Sequence, residues 1–126
     1  MKKLFLLIFA FVSVFVSSAQ SRSTLLVEAE SFHERGGWVL DHQFIDQMGS
    51  PYLLAHGLAN AKTAVTLPAK GEWHVFVRTW NWCAPWGVKE GPGLFKVAVN
   101  GEQLQNTLGT GEEWGWEYAG CFNAQN

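Results

Sequence analysis

The chain has 126 residues, with 9 basic and 11 acidic side chains, and its formal net charge is −2 at pH 7. There is no basic excess to attract phosphate backbones, so a nucleic acid is excluded as an expected partner. The length suits one small domain, and seven tryptophans are many for a chain of this size.

The first 19 residues have the pattern of a secretory signal peptide. Lys2 and Lys3 give a positively charged start, residues 4–16 are nearly all apolar, and small residues lead up to Ala19. The apolar stretch is shorter than the roughly 20 residues of a membrane span, and no second such stretch follows. We therefore predict a secreted or periplasmic protein with no membrane span after signal removal, its residues 20–126 forming one module.

Short strands separated by glycine-rich turns follow, and no convincing helix is predicted. The clearest strand is residues 72–80, where Trp73, Val75 and Val77 alternate with polar residues, as in a half-buried strand. The predicted strands in chain order are 25–30, 37–40, 52–55, 63–67, 72–80, 94–99, 103–108 and 113–118. This pattern predicts an all-β fold, an antiparallel β-sandwich of jelly-roll kind.

Two further features concern turns and closure. Asn100-Gly101 predicts a tight hairpin turn. Residues 115–120 look like the middle of a strand and a turn, and a sandwich needs a last strand to close its edge. We therefore expect the module to be truncated at its C-terminus. Cys83 and Cys121 could form a disulfide in an oxidising compartment, and their spacing leaves open whether they do.

The predicted first strand ends in two carboxylates, Glu28 and Glu30. Residues two apart on a strand point to the same face, so this pair could converge on one cation. Calcium needs six to eight oxygen ligands, and two carboxylates supply only part of that shell. A pair of solvated charges at the end of a strand is the alternative.

The sequence carries a family resemblance. The run Val27-Glu-Ala-Glu-Ser-Phe32 resembles the first strand of family 6 and family 35 carbohydrate-binding modules, and residues 26–57 resemble the β-sandwich of secreted bacterial FAD-dependent oxidoreductases. The likeness continues through the Val-Arg-Thr, Ala-Pro-Trp and Val-Asn-Gly runs and the Glu-Trp-Gly-Trp run at 113–116. It implies a galactose-binding-like jelly roll and a calcium ion held by Glu28, Glu30 and a later aspartate.

The same resemblance limits what this chain would do. A flavin domain needs a G-x-G-x-x-G fingerprint between a strand and a helix, and residues 91–93 and 109–111 lack the third glycine and the helix. FAD would belong to a missing domain. The resemblance therefore implies a non-catalytic accessory module that binds carbohydrate or packs on the oxidoreductase domain that would follow it, and the alternative is a self-standing glycan-binding module.

The candidate ligand-binding residues surround the end of the clearest strand. They are Arg78, Trp80, Asn81, Trp82 and Trp86. Indole rings can stack on sugar rings, and the arginine and asparagine could hydrogen-bond hydroxyl groups, which suits a small-molecule site. The tryptophans could instead fill the core or form a docking surface, because aromatic residues are enriched in both.

A third function class is a small secreted hydrolase. His42, Asp46 and Glu30 could supply acid–base groups. No serine or cysteine lies in a recognisable nucleophile motif, and His33-Glu-Arg-Gly-Gly37 is not the H-E-x-x-H of a zinc protease. A loop role is the more ordinary interpretation of these polar residues.

Overall fold

The structure is a computed structural model that describes residues 22–86 and 92–125. Strands dominate it, which confirms the all-β prediction at that level. The elements in chain order are β1 (Trp38–Asp41), α1 (Ile45–Met48), β2 (Tyr52–Ala55), β3 (Gly71–Thr79), β4 (Ala98–Val99), β5 (Glu102–Gln103) and β6 (Gly115–Ala124). Single turns of 3-10 helix occur at Ala29–Ser31 and Ala84–Trp86.

The strands pair in antiparallel twos, β1 with β2, β3 with β6, and β4 with β5. The β4–β5 turn confirms the hairpin predicted at Asn100-Gly101. Both turn residues have positive φ, 51° and 87°, as a turn of type I′ requires. An isolated bridge between Phe95 and Leu108 extends the contact between these two segments.

The longest pairing is the β3–β6 ribbon, and it organises the small core. Its inner face carries Val75 and Val77, as the alternation predicts, and they pack against buried Leu104, Leu108 and Ala119. The register shifts after Val75, where Ala119 forms a bulge. The other face of the ribbon is open to solvent at Phe76 and Trp116 among others.

Three sequence predictions about strands are wrong, and two more, 94–99 and 103–108, shorten to Ala98–Val99 and Glu102–Gln103. Residues 25–30 form no strand, because 22–28 run without a sheet partner and a 3-10 turn follows at Ala29–Ser31. Residues 63–67 also lack a partner; their nearest pairing is an isolated bridge between Glu34 and Lys62. Residues 119–120 do not end the last strand, since β6 continues through the bulge to Ala124.

Two other features concern the cysteines and the helices. Cys83 and Cys121 are separate free thiols, so the disulfide that the sequence left open is not formed. Within residues 22–86 and 92–125, no helix has the length and apolar character to cross a membrane.

Candidate functional site, an aromatic trough at the end of the ribbon

Two tryptophans face each other where the β3–β6 ribbon ends. Trp80 directly follows β3 and Trp114 directly precedes β6, and their ring centroids are 5.8 Å apart. Trp80 also packs edge-on against Phe44 at 4.9 Å, and Trp114 against Tyr52 at 5.0 Å. The indole N–H of Trp80 donates to the Glu112 carbonyl at 2.8 Å. These contacts fix the orientation of both rings.

Arg78 connects the ribbon to α1. Its guanidinium donates to the Met48 carbonyl at 2.8 Å and to the Gln47 carbonyl at 3.1 Å. Both carbonyls belong to the end of α1, where Gly49 turns the chain with a φ of 88°. An arginine satisfies such exposed helix-end carbonyls well. The contact holds Gln47 beside the tryptophan pair.

Together these elements enclose an open trough of about 370 Å³. We call it the trough and define it by its lining residues, Gln47, Arg78, Trp80, Glu112, Glu113 and Trp114. The indole N–H of Trp114 is buried and has no hydrogen-bond acceptor among the described residues. The trough therefore combines two aromatic walls with an amide, a guanidinium and two carboxylates.

Glu117 holds the loop that precedes β6. Its carboxylate accepts the backbone N–H of Gly109 at 2.9 Å and that of Thr110 at 3.2 Å. On the other side, the backbone N–H of Asn81 donates to the Gly111 carbonyl at 3.1 Å. These bonds place the 109–114 loop beside the 80–86 loop and so set the width of the trough.

Asn81 stabilises the 80–86 loop. Its side chain is 2% exposed, and its Oδ1 accepts the backbone N–H of Cys83 at 3.1 Å. Gly93 lies directly against this amide, so close that a Cβ at position 93 would stand 2.4 Å from Oδ1. Asn81 thus shapes the loop that carries the tryptophans and presents little surface to a ligand.

Trp82 and Trp86 lie on the surface of the same loop. They are 50% and 74% exposed, and their rings meet edge to face with centroids 6.0 Å apart. Neither ring lines the trough. Of the five ligand-binding residues predicted from the sequence, the structure brings Arg78 and Trp80 into the trough, buries Asn81 below it and leaves the Trp82–Trp86 pair outside.

The carboxylates proposed for calcium lie in a different setting from the one predicted. Glu28 precedes the 3-10 turn and Glu30 lies within it, so strand alternation no longer aligns them. The carbonyl of Glu28 accepts from Ser31, and that of Glu30 accepts from Arg35. Within the described ranges, no group of three His, Cys, Asp or Glu side chains could hold a metal ion. Calcium binding at Glu28 and Glu30 stays a prediction.

The hydrolase residues are also separate. Asp46 lies in the first turn of α1, His42 precedes that helix, and Glu30 is in the 3-10 turn. Among the described residues, no hydrogen bond joins any two of these three side chains.

Asp41 and Tyr52 form the best-defined polar pair near the trough. The Tyr52 hydroxyl donates to the Asp41 carboxylate and accepts the backbone N–H of Phe44 at 3.2 Å. This hydrogen bond lowers the pKa of Asp41. Burial, and then the same bond, raises the pKa of Tyr52. The pair ties β1 to β2 and fixes the ring that supports Trp114.

Sequence reasoning missed four members of the trough. The sequence analysis does not identify Trp114, Gln47, Glu112 or Glu113 as ligand-binding residues. Trp114 could have been found by extending the pairing of β3 and β6 by one residue, which places it opposite Trp80. That step needs the register of two strands 35 residues apart in the chain, which alternation within one strand does not supply.

Comparison of the chain with protein-family models, with curated proteins and with solved structures finds no match.

Proposed function

We propose that this chain is a non-catalytic, carbohydrate-binding module of an exported protein, with the trough as its sugar site. The observation that carries the proposal is the trough itself, two fixed indole rings facing a small set of polar side chains. Export is supported by the signal-like start of the sequence. We also infer a jelly-roll sandwich, supported by the three antiparallel pairs and the one-sided burial of β3.

The lining suits a polyhydroxy ligand. Aromatic rings offer a flat apolar surface, and a few convergent polar groups then select the orientation of the ligand. Arg78 has five N–H donors and uses two nitrogens on the α1 carbonyls, which leaves donors for hydroxyl groups. The carboxylates of Glu112 and Glu113 accept hydrogen bonds, and the amide of Gln47 does both.

The lining also favours binding over catalysis. Its fixed groups, the indole of Trp80 and the guanidinium of Arg78, are held by backbone carbonyls. Such groups position a ligand without reacting with it.

Affinity electrophoresis through a panel of soluble polysaccharides tests this function. We expect at least one polysaccharide to retard the protein, and we expect Gln47→Ala and Glu113→Ala to weaken retardation. Both side chains are exposed, so their removal should leave the fold intact. Leu58→Ala, a fully exposed side chain outside the trough, is the control and should migrate like the wild type. Absence of retardation on every polysaccharide would refute the proposal.

A second candidate function is docking on a flavin-dependent oxidoreductase domain. The observation that favours it is the exposed Trp82–Trp86 pair, because aromatic residues are enriched in interface cores. The genomic sequence after codon 126 tests it. An in-frame G-x-G-x-x-G between a predicted strand and helix would support the docking function, and a stop codon directly after codon 126 would count against it.

A further inference from the structure

The trough is one end of a longer aromatic surface. Along β3, Phe76, Arg78 and Trp80 alternate with the core residues Val75 and Val77, so they lie on the open face of the ribbon. Along β6 and the residue before it, Trp114, Trp116 and Tyr118 occupy the matching face. We call this surface the aromatic strip and define it by these open-face residues, Phe76, Arg78, Trp80, Trp114, Trp116 and Tyr118.

The strip is continuous because its members are cross-strand neighbours. Phe76 pairs with Tyr118 and Arg78 with Trp116 in the β3–β6 register. The rings of Phe76 and Tyr118 are 5.0 Å apart, and those of Trp80 and Trp114 are 5.8 Å apart. Directly opposite side chains on a sheet contact one another in this way. Strand pairing therefore presets the positions of the rings before any ligand arrives.

The part of the strip beyond the trough is exposed. Phe76 is 56% exposed, Trp116 62% and Tyr118 38%. Four residue steps separate Phe76 from Trp80, which corresponds to roughly 13 Å along a strand. The surface is thus longer than one sugar ring.

The charges at the strip indicate which polymer it would take. Among the described residues that line the trough, the two carboxylates of Glu112 and Glu113 outnumber the one guanidinium of Arg78. The whole chain has a formal charge of −2. An anionic polymer would meet a net negative charge at the trough, so a neutral polymer fits better.

We propose that the aromatic strip binds an extended, neutral polysaccharide chain along its length, with the trough as one subsite of several. This inference rests on the proposed function and adds the polymeric nature of the ligand. Each further sugar unit would lie over Trp116 and then over the Phe76–Tyr118 pair.

The first experiment separates polymer shapes and charges. Affinity electrophoresis would use hydroxyethylcellulose, glucomannan and xylan as extended neutral chains, starch as a coiled neutral chain and polygalacturonate as an anionic chain. We expect retardation by one or more of the extended neutral polymers. Retardation by starch or polygalacturonate alone would leave sugar binding intact and overturn the strip. Absence of retardation by all five polymers would overturn the proposed function and, with it, the strip.

The second experiment measures chain-length dependence by calorimetry. Oligosaccharides of two to six units, prepared from the polymer that retards the protein, should bind the wild type more tightly as they lengthen, by at least about tenfold over the series. Trp116→Ala should abolish that gain, and Leu58→Ala should keep it. Thermal melts would confirm that each variant folds.

Two results of the second experiment would contradict the inference. If the wild type binds all the oligosaccharides with the same affinity, whatever their length, sugar binding is confined to the trough. A length gain that survives in Trp116→Ala and in Phe76→Ala alike would place the additional subsites elsewhere, and the exposed rings of the strip would then be free for a protein partner.

Discussion

The hydroxyl of Tyr52 ties β1 to β2 beside the trough. It donates to Asp41 and accepts from the backbone of Phe44, and its ring packs on Trp114. Removing the hydroxyl would leave the carboxylate and the backbone N–H without their partner. The loss of one oxygen atom would thus affect the supports of both Trp80 and Trp114.

We predict that Tyr52→Phe lowers the free energy of unfolding by about 1 kcal/mol near neutral pH, the usual worth of such a hydrogen bond. The bond lowers the pKa of Asp41 below its ordinary value of 3.8, so its stabilisation exists above that value and is lost as pH falls through the lower pKa of the folded protein. The difference between wild type and variant should therefore be flat from about pH 5 to 8 and narrow below about pH 4.

Urea unfolding at a series of pH values measures this difference. Asp41→Asn is the complementary variant, because it removes the titrating group and keeps the tyrosine. The stability of Asp41→Asn should therefore lack the acid-dependent loss that the Asp41–Tyr52 bond causes in the wild type. A stability difference between wild type and Tyr52→Phe that stays constant down to pH 2 would show that Asp41 gains nothing from the bond.

A comparison of two glycines with similar φ angles tests how tightly Gly93 and Gly109 pack against each other, which we call the 93–109 contact. Gly109 has a φ of 80°, and a Cβ there would stand 1.8 Å from the Gly93 carbonyl oxygen. Gly101 has a φ of 87° and nothing within 4 Å of such a Cβ. Gly101→Ala should cost about 1 kcal/mol for the left-handed backbone alone.

Gly109→Ala should cost at least about 2 kcal/mol more than Gly101→Ala, because the backbone of Gly93 must move as well. Chemical denaturation of the two variants side by side measures the difference. Equal losses in the two variants would mean that the 93–109 contact is not formed.

At the scale of elements, the local sequence pattern correctly predicted strands where the segment pairs with another strand. It wrongly predicted strands at segments that have no partner in the structure. Tyr52–Ala55 and Gly71–Thr79 match the predictions nearly residue for residue, and the Asn100-Gly101 turn is where the sequence puts it. Residues 25–30 and 63–67 have the same apolar character, but no neighbouring strand supplies their hydrogen bonds. Strand propensity describes a fit to a pleated surface, and that surface is a non-local property.

The residues of the trough also could be predicted only where a local sequence pattern places them. Arg78 and Trp80 were predictable because they continue a strongly alternating strand. Trp114 and the exposure of Trp116 were not, since both depend on the β3–β6 register. The bulge at Ala119 affects only the later part of β6, where it reverses which face the side chains occupy, and no local signal marked it.

The 3-10 turn at Ala29–Ser31 leads to a prediction about calcium. With Glu28 and Glu30 off a common strand face, we expect millimolar calcium followed by excess EDTA to leave the melting temperature unchanged. Differential scanning fluorimetry measures this, with magnesium as the control ion. A calcium-specific rise in melting temperature that Glu30→Gln removes would restore the cation site that the sequence predicts.

At the scale of the whole molecule, the hydrophobic core is small and lies to one side. Leu104, Leu108 and Ala119 are buried together beneath the inner face of the ribbon, and the described part of the chain adds only Tyr52 to the fully buried apolar residues. The aromatic cluster of the trough is a separate, half-buried group. Two-stranded pairs are marginal by themselves, so the strength of contact between these groups decides how cooperative folding is.

We predict that unfolding is weakly cooperative and begins at the trough. Urea denaturation followed by tryptophan fluorescence, to which Trp80 and Trp114 of the trough contribute, should show an earlier midpoint than far-UV circular dichroism, which reports on the strands. The slope of the free energy against urea should lie near or below about 1 kcal/mol/M, the low end for small proteins, because little surface is buried.

Leu108→Ala, which empties a core position that is 1% exposed, should shift the dichroism midpoint more than the fluorescence midpoint. Coincident, steep transitions from a monomer would instead mean that the trough and the core form one cooperative unit.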